Sequence, residues 1–335
     1  MADRPSVAEL KDGVLAGDRR SLSQAITLAE SSRPEDHEDA QALIADLLPK
    51  SGGATRVGFT GVPGAGKSTL IEALGLWLVE QGKKVAVLTI DPSSKRTGGS
   101  ILGDKTRMQG LSMSEDAFIR PSPTSGVLGG VARRTREAIL LCEAAGYDVV
   151  LVESVGVGQS EAELAELVDT LCLLLVPGTG DELQGIKRGI METSDVIAVN
   201  KADGERLNLA KRARGDFRQA IRMLPESTPG WETPVLIVSA LEGTGIADLW
   251  EAIDAHQVLL DESGLLQERR LDQQKKWLSS MIEEAALRSF YSHEGVEEAI
   301  TQAENQVMAE DATVPQATLD VLRAAGLDVP DPDGK

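Results

Sequence analysis

Short apolar runs alternate along the chain with longer stretches in which apolar residues recur at helical spacing. The apolar runs predict seven strands, near residues 55–60, 84–90, 116–120, 148–153, 170–176, 195–200 and 234–239. Strands that are apolar on both faces and separated mostly by helical patterns are typical of a parallel sheet that helices cover on both sides. We therefore expect an α/β fold with a mostly parallel central sheet flanked by helices.

The sequence patterns at both ends of the chain predict helices and no strands. Residues 1–53 predict an N-terminal helical extension of two or three amphipathic helices that closes at Ser51-Gly52-Gly53. The strands fall within residues 54–259, and residues 260–335 predict a C-terminal helical arm of one long helix and two shorter ones. The apolar positions of the long helix are Leu265, Leu271, Trp277, Leu278, Ile282 and Leu287. This stripe has two explanations: it packs on the strand-containing region, or it joins two copies of the chain.

A glycine-rich turn follows the first predicted strand. Residues 61–68 match the pattern G-x-x-x-x-G-K-[ST], and a helical pattern begins at Ser68. The backbone N–H groups of such a loop and the N-terminus of the following helix form a cradle for phosphate. We expect Lys67 to reach the β- and γ-phosphates and Ser68 to offer its hydroxyl to Mg²⁺. The loop predicts a P-loop NTPase fold, with these nucleotide-binding residues: Gly61, Pro63, Gly64, Ala65, Gly66, Lys67, Ser68 and Thr69.

Two later strand ends select the base. Asn200-Lys201-Ala202-Asp203 follows the sixth predicted strand, and the carboxylate of Asp203 can accept hydrogen bonds from N1–H and the 2-amino group of guanine. Adenine would leave this buried acceptor unpaired. The aliphatic stem of Lys201 can lie on the base plane, and Ser239-Ala240-Leu241 resembles the loop whose alanine N–H meets guanine O6 in GTPases. Together with the phosphate loop, these residues predict that the chain binds GTP and GDP.

Acidic residues lie at two strand ends beside the phosphate loop. Asp91 ends the second predicted strand, and Asp104 lies in the segment rich in glycine and hydroxyl residues that follows it. Glu153 ends the fourth strand and Gly156 follows three residues later, which is the form of a Walker B acid with a glycine that senses the γ-phosphate. We expect the three acids to join Ser68 in holding Mg²⁺ or its waters.

Charge and composition narrow the partners and the location. The net charge of −19 and the pI near 4.6 would repel a phosphate backbone, so we expect no nucleic-acid partner. No apolar run is long enough to span a bilayer and the N-terminus lacks a signal core, so we expect a cytoplasmic protein without a membrane partner.

Cys142 and Cys172 fall in a predicted helix and strand and are expected to be small core residues. The three histidines are scattered, without metal-ligand spacing.

Three long motifs resemble those of the MeaB/ArgK family of G-proteins. They are D-P-S-S-x-x-x-G-G-S-I-L-G-D-K-T-R-M at residues 91–108, E-S-V-G-V-G-Q-S-E at 153–161 and D-E-L-Q-G-I-K-R-G at 181–189. The resemblance extends from the N-terminal helices to the C-terminal arm, with Ser154 in place of the commoner threonine. It implies a GTPase chaperone that gates cofactor loading and protects an adenosylcobalamin-dependent acyl-CoA mutase, chiefly methylmalonyl-CoA mutase. It also implies a homodimer joined through the C-terminal helices.

The resemblance further implies that residues 178–189 form a third switch between the mutase and the nucleotide. Val157 follows Gly156 where Ras-like enzymes carry the glutamine that orients the attacking water, so we expect slow hydrolysis by the chain alone. A cation delivered by the third switch could then stabilise the transition state, as an arginine finger does. We expect Lys187, rather than Arg188, to be that catalytic cation.

Two other functions remain open on the sequence. A nickel-insertion accessory GTPase would carry clustered cysteines and histidines near the switches, and the sequence has no such cluster. A transport-system protein kinase would need a place for an acceptor hydroxyl with a base beside it, and neither can be identified. The partner also stays open, since isobutyryl-CoA mutase or another cobalamin mutase would fit as well.

Overall fold

The computed structural model describes residues 5–31, 33–91, 108–123, 130–154, 160–178 and 188–327. All seven predicted strands are confirmed, within a few residues of their expected bounds. They are β1 (Thr55–Gly61), β2 (Val85–Asp91), β3 (Ala117–Pro123), β4 (Val149–Glu153), β5 (Thr170–Leu175), β6 (Val196–Val199) and β7 (Val235–Ile237). Each neighbouring pair is parallel, so the predicted parallel sheet is confirmed.

The strand order β3-β2-β4-β1-β5-β6-β7 brings three strand ends together at the carboxyl edge. Strand β1 lies between β4 and β5, and Phe59 of β1 is in register with Glu153 of β4 and with Cys172 of β5. The chain forms β2, β3 and β4 on one side of β1 and the remaining strands on the other. Ligands of open α/β sheets bind at such a point, beyond the carboxyl ends of the strands.

Helices cover both faces of the sheet. Among the described residues they are α1 (Val7–Leu15), α2 (Arg19–Ala29), α3 (Pro34–Leu47), α4 (Lys67–Glu80), α5 (Gln109–Ser112), α6 (Gly130–Ala144), α7 (Ser160–Ala165), α8 (Arg188–Thr193), α9 (Leu207–Ile221), α10 (Ile246–Ser263), α11 (Leu265–Tyr291), α12 (Val296–Met308) and α13 (Val314–Ala324). One apolar core contains Ile26 and Val150, and the other contains Val57 and Leu74.

The predicted N-terminal helices are confirmed as α1, α2 and α3. Helix α1 begins with a capping box in which Ser6 and Glu9 satisfy each other's backbone N–H groups, and the Asp18 side chain caps α2. These helices pack on one another and on α6, which lies against the sheet. Their buried residues therefore extend one of the two cores.

The two cysteines occupy the predicted core positions. Cys142 on α6 and Cys172 on β5 are both fully buried and free. Burial in apolar surroundings raises the pKa of both thiols, because the thiolate would lose its hydration.

Buried ion pairs join the elements at the amino edge of the sheet. The Arg56 guanidinium donates to Glu143 through Nε and Nη2, each at 2.8 Å. Arg270 donates to Asp169 at 2.9 and 2.7 Å and also reaches the carbonyl oxygens of Gly52 and Ala54. Helix α11 is thereby fastened to the segments that lead into β1 and β5.

A neutral histidine lies near these ion pairs. The His256 ring makes hydrogen bonds with Thr170 at 2.8 Å and Thr228 at 3.1 Å, and its Nε2 lies 3.4 Å from Asp195. Burial lowers the pKa of His256 to about 4 and outweighs the opposite effect of Asp195. The imidazole is therefore uncharged at neutral pH, and Asp195 pairs instead with Arg269 at 3.3 Å.

The chain divides into two compact units, the first ending at Gln273 and the second beginning at Gln274, within α11. The first unit contains the sheet and its helices. In the second, α12 and α13 pack together, and an apolar groove of about 960 Å³ is lined by residues of α11, α12 and α13. The predicted long helix and two shorter helices are confirmed, while the division into three regions at residues 53 and 259 remains a prediction.

None of the helices in the described part of the chain is both long enough and apolar enough to cross a lipid bilayer.

Candidate functional site

Three glycines shape the turn from β1 into α4. Gly61, Gly64 and Gly66 have φ values of +146°, +80° and +88°, in the region that favours glycine. A Cβ on Gly61 would lie 2.4 Å from the carbonyl oxygen of Leu174, and one on Gly66 would lie 2.7 Å from Nδ2 of Asn200. The loop is therefore held against β5 on one side and against the segment after β6 on the other.

The end of α4 that faces the loop can receive an anion. Gly66 is the N-cap residue, and no side chain in the described part of the chain caps this helix. Its first N–H groups can therefore bind phosphate. Lys67 is buried, and its Nζ donates to the carbonyl oxygen of Gly61 at 2.8 Å, so the ammonium lies over the loop. Ala65 is buried inside the turn, whereas Pro63 and Thr69 are exposed.

A hydroxyl and a carboxylate meet beside this loop. Ser68 Oγ, in the first turn of α4, donates to Oε1 of Glu153 at the end of β4, at 2.8 Å. Asp91 is the last residue of β2, which pairs with β4 so that Thr89 is in register with Glu153. Hard oxygen donors of this kind are the ligands that Mg²⁺ prefers. The pair Ser68 and Glu153 therefore fits a magnesium ion, with Asp91 on the neighbouring strand.

Asn200 connects the phosphate loop to the loop after β7. Its side chain is buried; Nδ2 donates to the carbonyl oxygen of Ala65 at 2.9 Å, and Oδ1 accepts from the N–H of Ala240 at 3.2 Å. Residues 135 and 40 positions away along the chain are thus held by one amide group. The phosphate-binding and base-binding segments predicted from the sequence lie together at the carboxyl edge.

The predicted base-binding residues surround Asn200. Lys201 has a φ of +58°, and its Cε would lie 3.7 Å from a Cβ on Gly66, so its stem runs beside the phosphate loop. Ser239 is buried, and its Oγ lies 3.5 Å from Oδ1 of Asp203. The carboxylate of Asp203 is partly exposed, and Leu241 is exposed.

Some predicted residues lie outside the described part of the chain. These are Asp104, Gly156 and Lys187, together with the side chain of Asp91. Their roles remain predictions.

Sequence reasoning missed the role of two buried hydroxyls and of the Asn200 amide. Ser154 Oγ donates to Thr60 Oγ1 at 3.1 Å, which ties the residue after β4 to β1. Asn200 was predicted only as part of the base motif, without a partner. Its place after a buried strand was the signal available, since a buried amide must find hydrogen-bond partners.

Comparisons with known proteins agree with this geometry. The family model described as "Methylmalonyl Co-A mutase-associated GTPase MeaB" matches residues 22–294. A probable GTPase of Mycobacterium tuberculosis is 50% identical over 325 residues, covering 97% of each chain. GTPase ArgK of Escherichia coli is 47% identical over 88% of this chain and 89% of its own. The mitochondrial methylmalonic aciduria type A homolog of Mus musculus is 44% identical over 95% of this chain and 79% of its own.

A solved structure is similar over the whole chain. The crystal structure described as "LAO/AO transport system kinase" is 36% identical, with a TM-score of 0.76, and covers 98% of this chain and 100% of its own. The likeness confirms the P-loop NTPase fold expected from the sequence.

Proposed function

The chain belongs to the MeaB family of methylmalonyl-CoA mutase-associated GTPases, and we propose that it is a slow, Mg²⁺-dependent GTPase that serves an adenosylcobalamin-dependent acyl-CoA mutase as a chaperone. In this proposal the nucleotide state gates the loading of the cofactor into the mutase and protects the loaded mutase from inactivation. Methylmalonyl-CoA mutase is the proposed partner.

The link made by Asn200 is the observation that carries the nucleotide part of the proposal. One buried amide binds Ala65 of the phosphate loop and Ala240 of the loop expected to meet guanine O6. The distance between phosphate and base is thereby set before a nucleotide arrives. Such preorganisation favours binding, because less order has to be created in the complex. Asp203 beside Ser239 then selects guanine.

The catalytic part rests on the charges beside the phosphate loop. Ser68, Glu153 and Asp91 would hold Mg²⁺, with Asp104 as a further predicted ligand, and the bound ion would neutralise charge that develops on the phosphate oxygens. Lys67 would move from the carbonyl oxygen of Gly61 to the β- and γ-phosphates. Water attacks the γ-phosphorus, and GDP leaves with the electron pair of the broken P–O bond. The sequence has Val157 where Ras-like enzymes place a water-orienting glutamine, which supports a slow rate without a partner.

The partner and the dimer are supported by family membership and by exposed apolar surface. A 44% identical relative from Mus musculus is described as a methylmalonic aciduria type A homolog. On α11, Leu278, Ile282 and Leu287 are 62%, 58% and 57% exposed, and Leu287 also lines the apolar groove of the second unit. Large exposed apolar surface is typical of an interaction site. We propose that this surface joins two copies of the chain.

Hydrolysis of γ-³²P-labelled GTP with and without methylmalonyl-CoA mutase tests the proposal. We expect slow release of free phosphate, faster release in the presence of the mutase, and loss of turnover in Lys67→Ala. Lys187→Ala should keep the basal rate and lose the stimulation. Label found on protein instead of in free phosphate would support the kinase alternative. A rate of phosphate release that does not change when any cobalamin mutase is added would exclude the chaperone role.

The proposed dimer has its own test. A chain ending at Gln273, the last residue of the first unit, keeps Arg269 and Arg270 and should be monomeric in light scattering, while the full chain is dimeric. A dimeric truncated chain would place the interface elsewhere.

A further inference from the structure

Helix α9 carries a stripe of positive charge on an acidic protein. Between Arg206 and Arg222 the sequence has six cations and one acid, whereas the chain as a whole has a net charge of −19. Leu207, Lys211, Arg214, Arg218 and Arg222 follow one another at spacings of four, three, four and four residues. At about 100° per residue, these five positions lie within about 80° of one another around the helix axis. We name them the α9 stripe.

The stripe lies on the solvent side of a helix whose apolar face is already used. Ala210, Ala213 and Phe217 are buried where α9 packs on β6 and β7. Lys211, Arg218 and Arg222 are exposed, and Arg214 is half-buried at the margin. The stripe therefore presents its cations to solvent.

The cations of the stripe have little compensation within the chain. Arg222 lies 3.9 Å from Glu232, and both side chains are exposed. Lys211, Arg214 and Arg218 have no acidic partner within ion-pair distance among the residues that the structure describes. Like charges three and four residues apart on a helix destabilise it. An arrangement that costs stability in a chain rich in acids points to an anionic group outside the chain.

The surroundings of the stripe favour a protein as the source of that anionic group. Exposed Leu207 begins the stripe, and exposed Met223 follows its last residue. Arginine and methionine are enriched at the centres of protein interfaces, and three of the four stripe cations are arginines. A membrane is disfavoured, because the apolar face of α9 is packed on the sheet and cannot enter lipid. A long nucleic acid is disfavoured, because the rest of the chain would repel it.

The position of α9 connects the stripe to the nucleotide site. The helix begins four residues after Asp203, and Leu209 lies 3.4 Å from where a Cβ on Gly178 would be. Gly178 is the last described residue before the segment predicted to be the third switch. We infer that the α9 stripe is a docking surface for an acidic patch on the protein partner. For the identity of that partner, the inference rests on the proposed function.

The double charge reversal Lys211→Glu/Arg218→Glu tests the stripe without harming the fold. Both new carboxylates gain Arg214 as a helix neighbour, and one gains Arg222, so the helix exchanges repulsion for attraction. The thermal midpoint should therefore stay unchanged or rise, and the basal GTP turnover should stay unchanged. Arg20→Glu/Lys83→Glu is the control, since it reverses two exposed cations elsewhere in the first unit.

Binding is measured by surface plasmon resonance against methylmalonyl-CoA mutase holoenzyme at several salt concentrations. We expect the association rate constant of the stripe variant to fall about tenfold, with a weaker salt dependence, and that of the control to change little. If the stripe variant binds the mutase as tightly as wild type does, the docking surface is wrong and the proposed function still stands.

A polyglutamate peptide of about 20 residues tests whether the stripe binds acidic groups, independently of whether the mutase is the partner. Wild type should bind this peptide at low salt and the stripe variant should not. If wild type binds the peptide through the stripe but does not bind the mutase, the docking surface stands and the proposed partner is wrong. Wild type that binds neither overturns the inference. Stripe-dependent binding to phosphatidylserine vesicles or duplex DNA in preference to the peptide, or a change of oligomeric state in the stripe variant, also overturns it.

Discussion

Asn200→Ala removes the side chain that joins the phosphate loop to the loop after β7. The substitution leaves the carbonyl oxygen of buried Ala65 and the N–H of Ala240 without their partner. A buried polar group left unpaired costs about 1–3 kcal/mol. Ala240 is only partly buried and water can reach it, so its unpaired N–H should cost about 1 kcal/mol, the lower limit of this range. Added to about 1–3 kcal/mol for the carbonyl oxygen of Ala65, the total cost should be about 2–4 kcal/mol.

Most of this cost should appear as lost nucleotide affinity. In the free protein the two loops can shift and hydrate the exposed groups, whereas a bound nucleotide requires both loops in place. With about 1.4 kcal/mol for each factor of ten, GDP affinity should fall about 30- to 700-fold. Asn200→Asp should bind no better, because it keeps an acceptor for Ala240 but turns a carboxylate oxygen toward the carbonyl oxygen of Ala65.

Calorimetric titration with GDP measures the effect, and thermal unfolding without nucleotide shows how much of it belongs to folding. Asn208→Ala is the matched control, because Asn208 is an exposed asparagine on α9 that makes no side-chain hydrogen bond within the described residues. Affinity of Asn200→Ala within about threefold of wild type would refute the idea that this amide organises the site.

Asp203→Asn should lower GTP affinity by about tenfold or more and raise affinity for xanthosine nucleotides, whose 2-oxo group can accept from the new amide; equal GTP binding in calorimetry would remove Asp203 from the base site. Glu153→Gln should raise the Mg²⁺ concentration needed for half-maximal turnover while sparing GDP binding in EDTA, and an unchanged Mg²⁺ titration would contradict a metal role. Arg270→Ala leaves the buried Asp169 carboxylate without its cation, so the free energy of unfolding in urea should drop by about 3–5 kcal/mol; a drop below about 1 kcal/mol would show the pair to be hydrated. For His256, the unfolded chain takes up a proton near pH 6.5 but the folded protein only near pH 4. As the pH falls from 6.5 to 4, the free energy of unfolding should therefore decline by up to about 3 kcal/mol. His256→Gln should flatten this decline, and identical pH profiles would place its titration elsewhere.

The strands were predictable from the sequence because their burial on both faces leaves a local mark. Val149 to Val152 and Leu171 to Leu175 are continuous apolar runs, and parallel strands covered by helices need such runs. The phosphate loop was predictable for a similar reason. Its glycines are needed where the backbone has positive φ values and where other atoms approach closely, so the loop has a recognisable local pattern. What is specified by neighbours in the chain can be read from the chain.

Contacts between distant segments could not be predicted in the same way. The sequence predicts that Asn200 follows a strand, but not that β1 lies between β4 and β5, which decides what its amide can reach. The pairing of Arg270 with Asp169 spans 101 positions and depends on where α11 passes the amino edge. Strand order follows from the crossovers as a set, so no single segment contains it.

The two edges of the sheet are joined by different kinds of contact. At the amino edge, the described residues form buried ion pairs such as Arg56 with Glu143 and Arg270 with Asp169. At the carboxyl edge, the loops are joined by single hydrogen bonds, such as those of Asn200 and Ser68. Removing one partner of a buried ion pair costs about 3–5 kcal/mol, which overlaps the range of about 2–4 kcal/mol expected when both Asn200 hydrogen bonds are lost. Both edges are therefore held at a comparable cost: the ion pairs fasten α6 and α11 to the strands, and the Asn200 amide holds the two loops of the candidate nucleotide site in place.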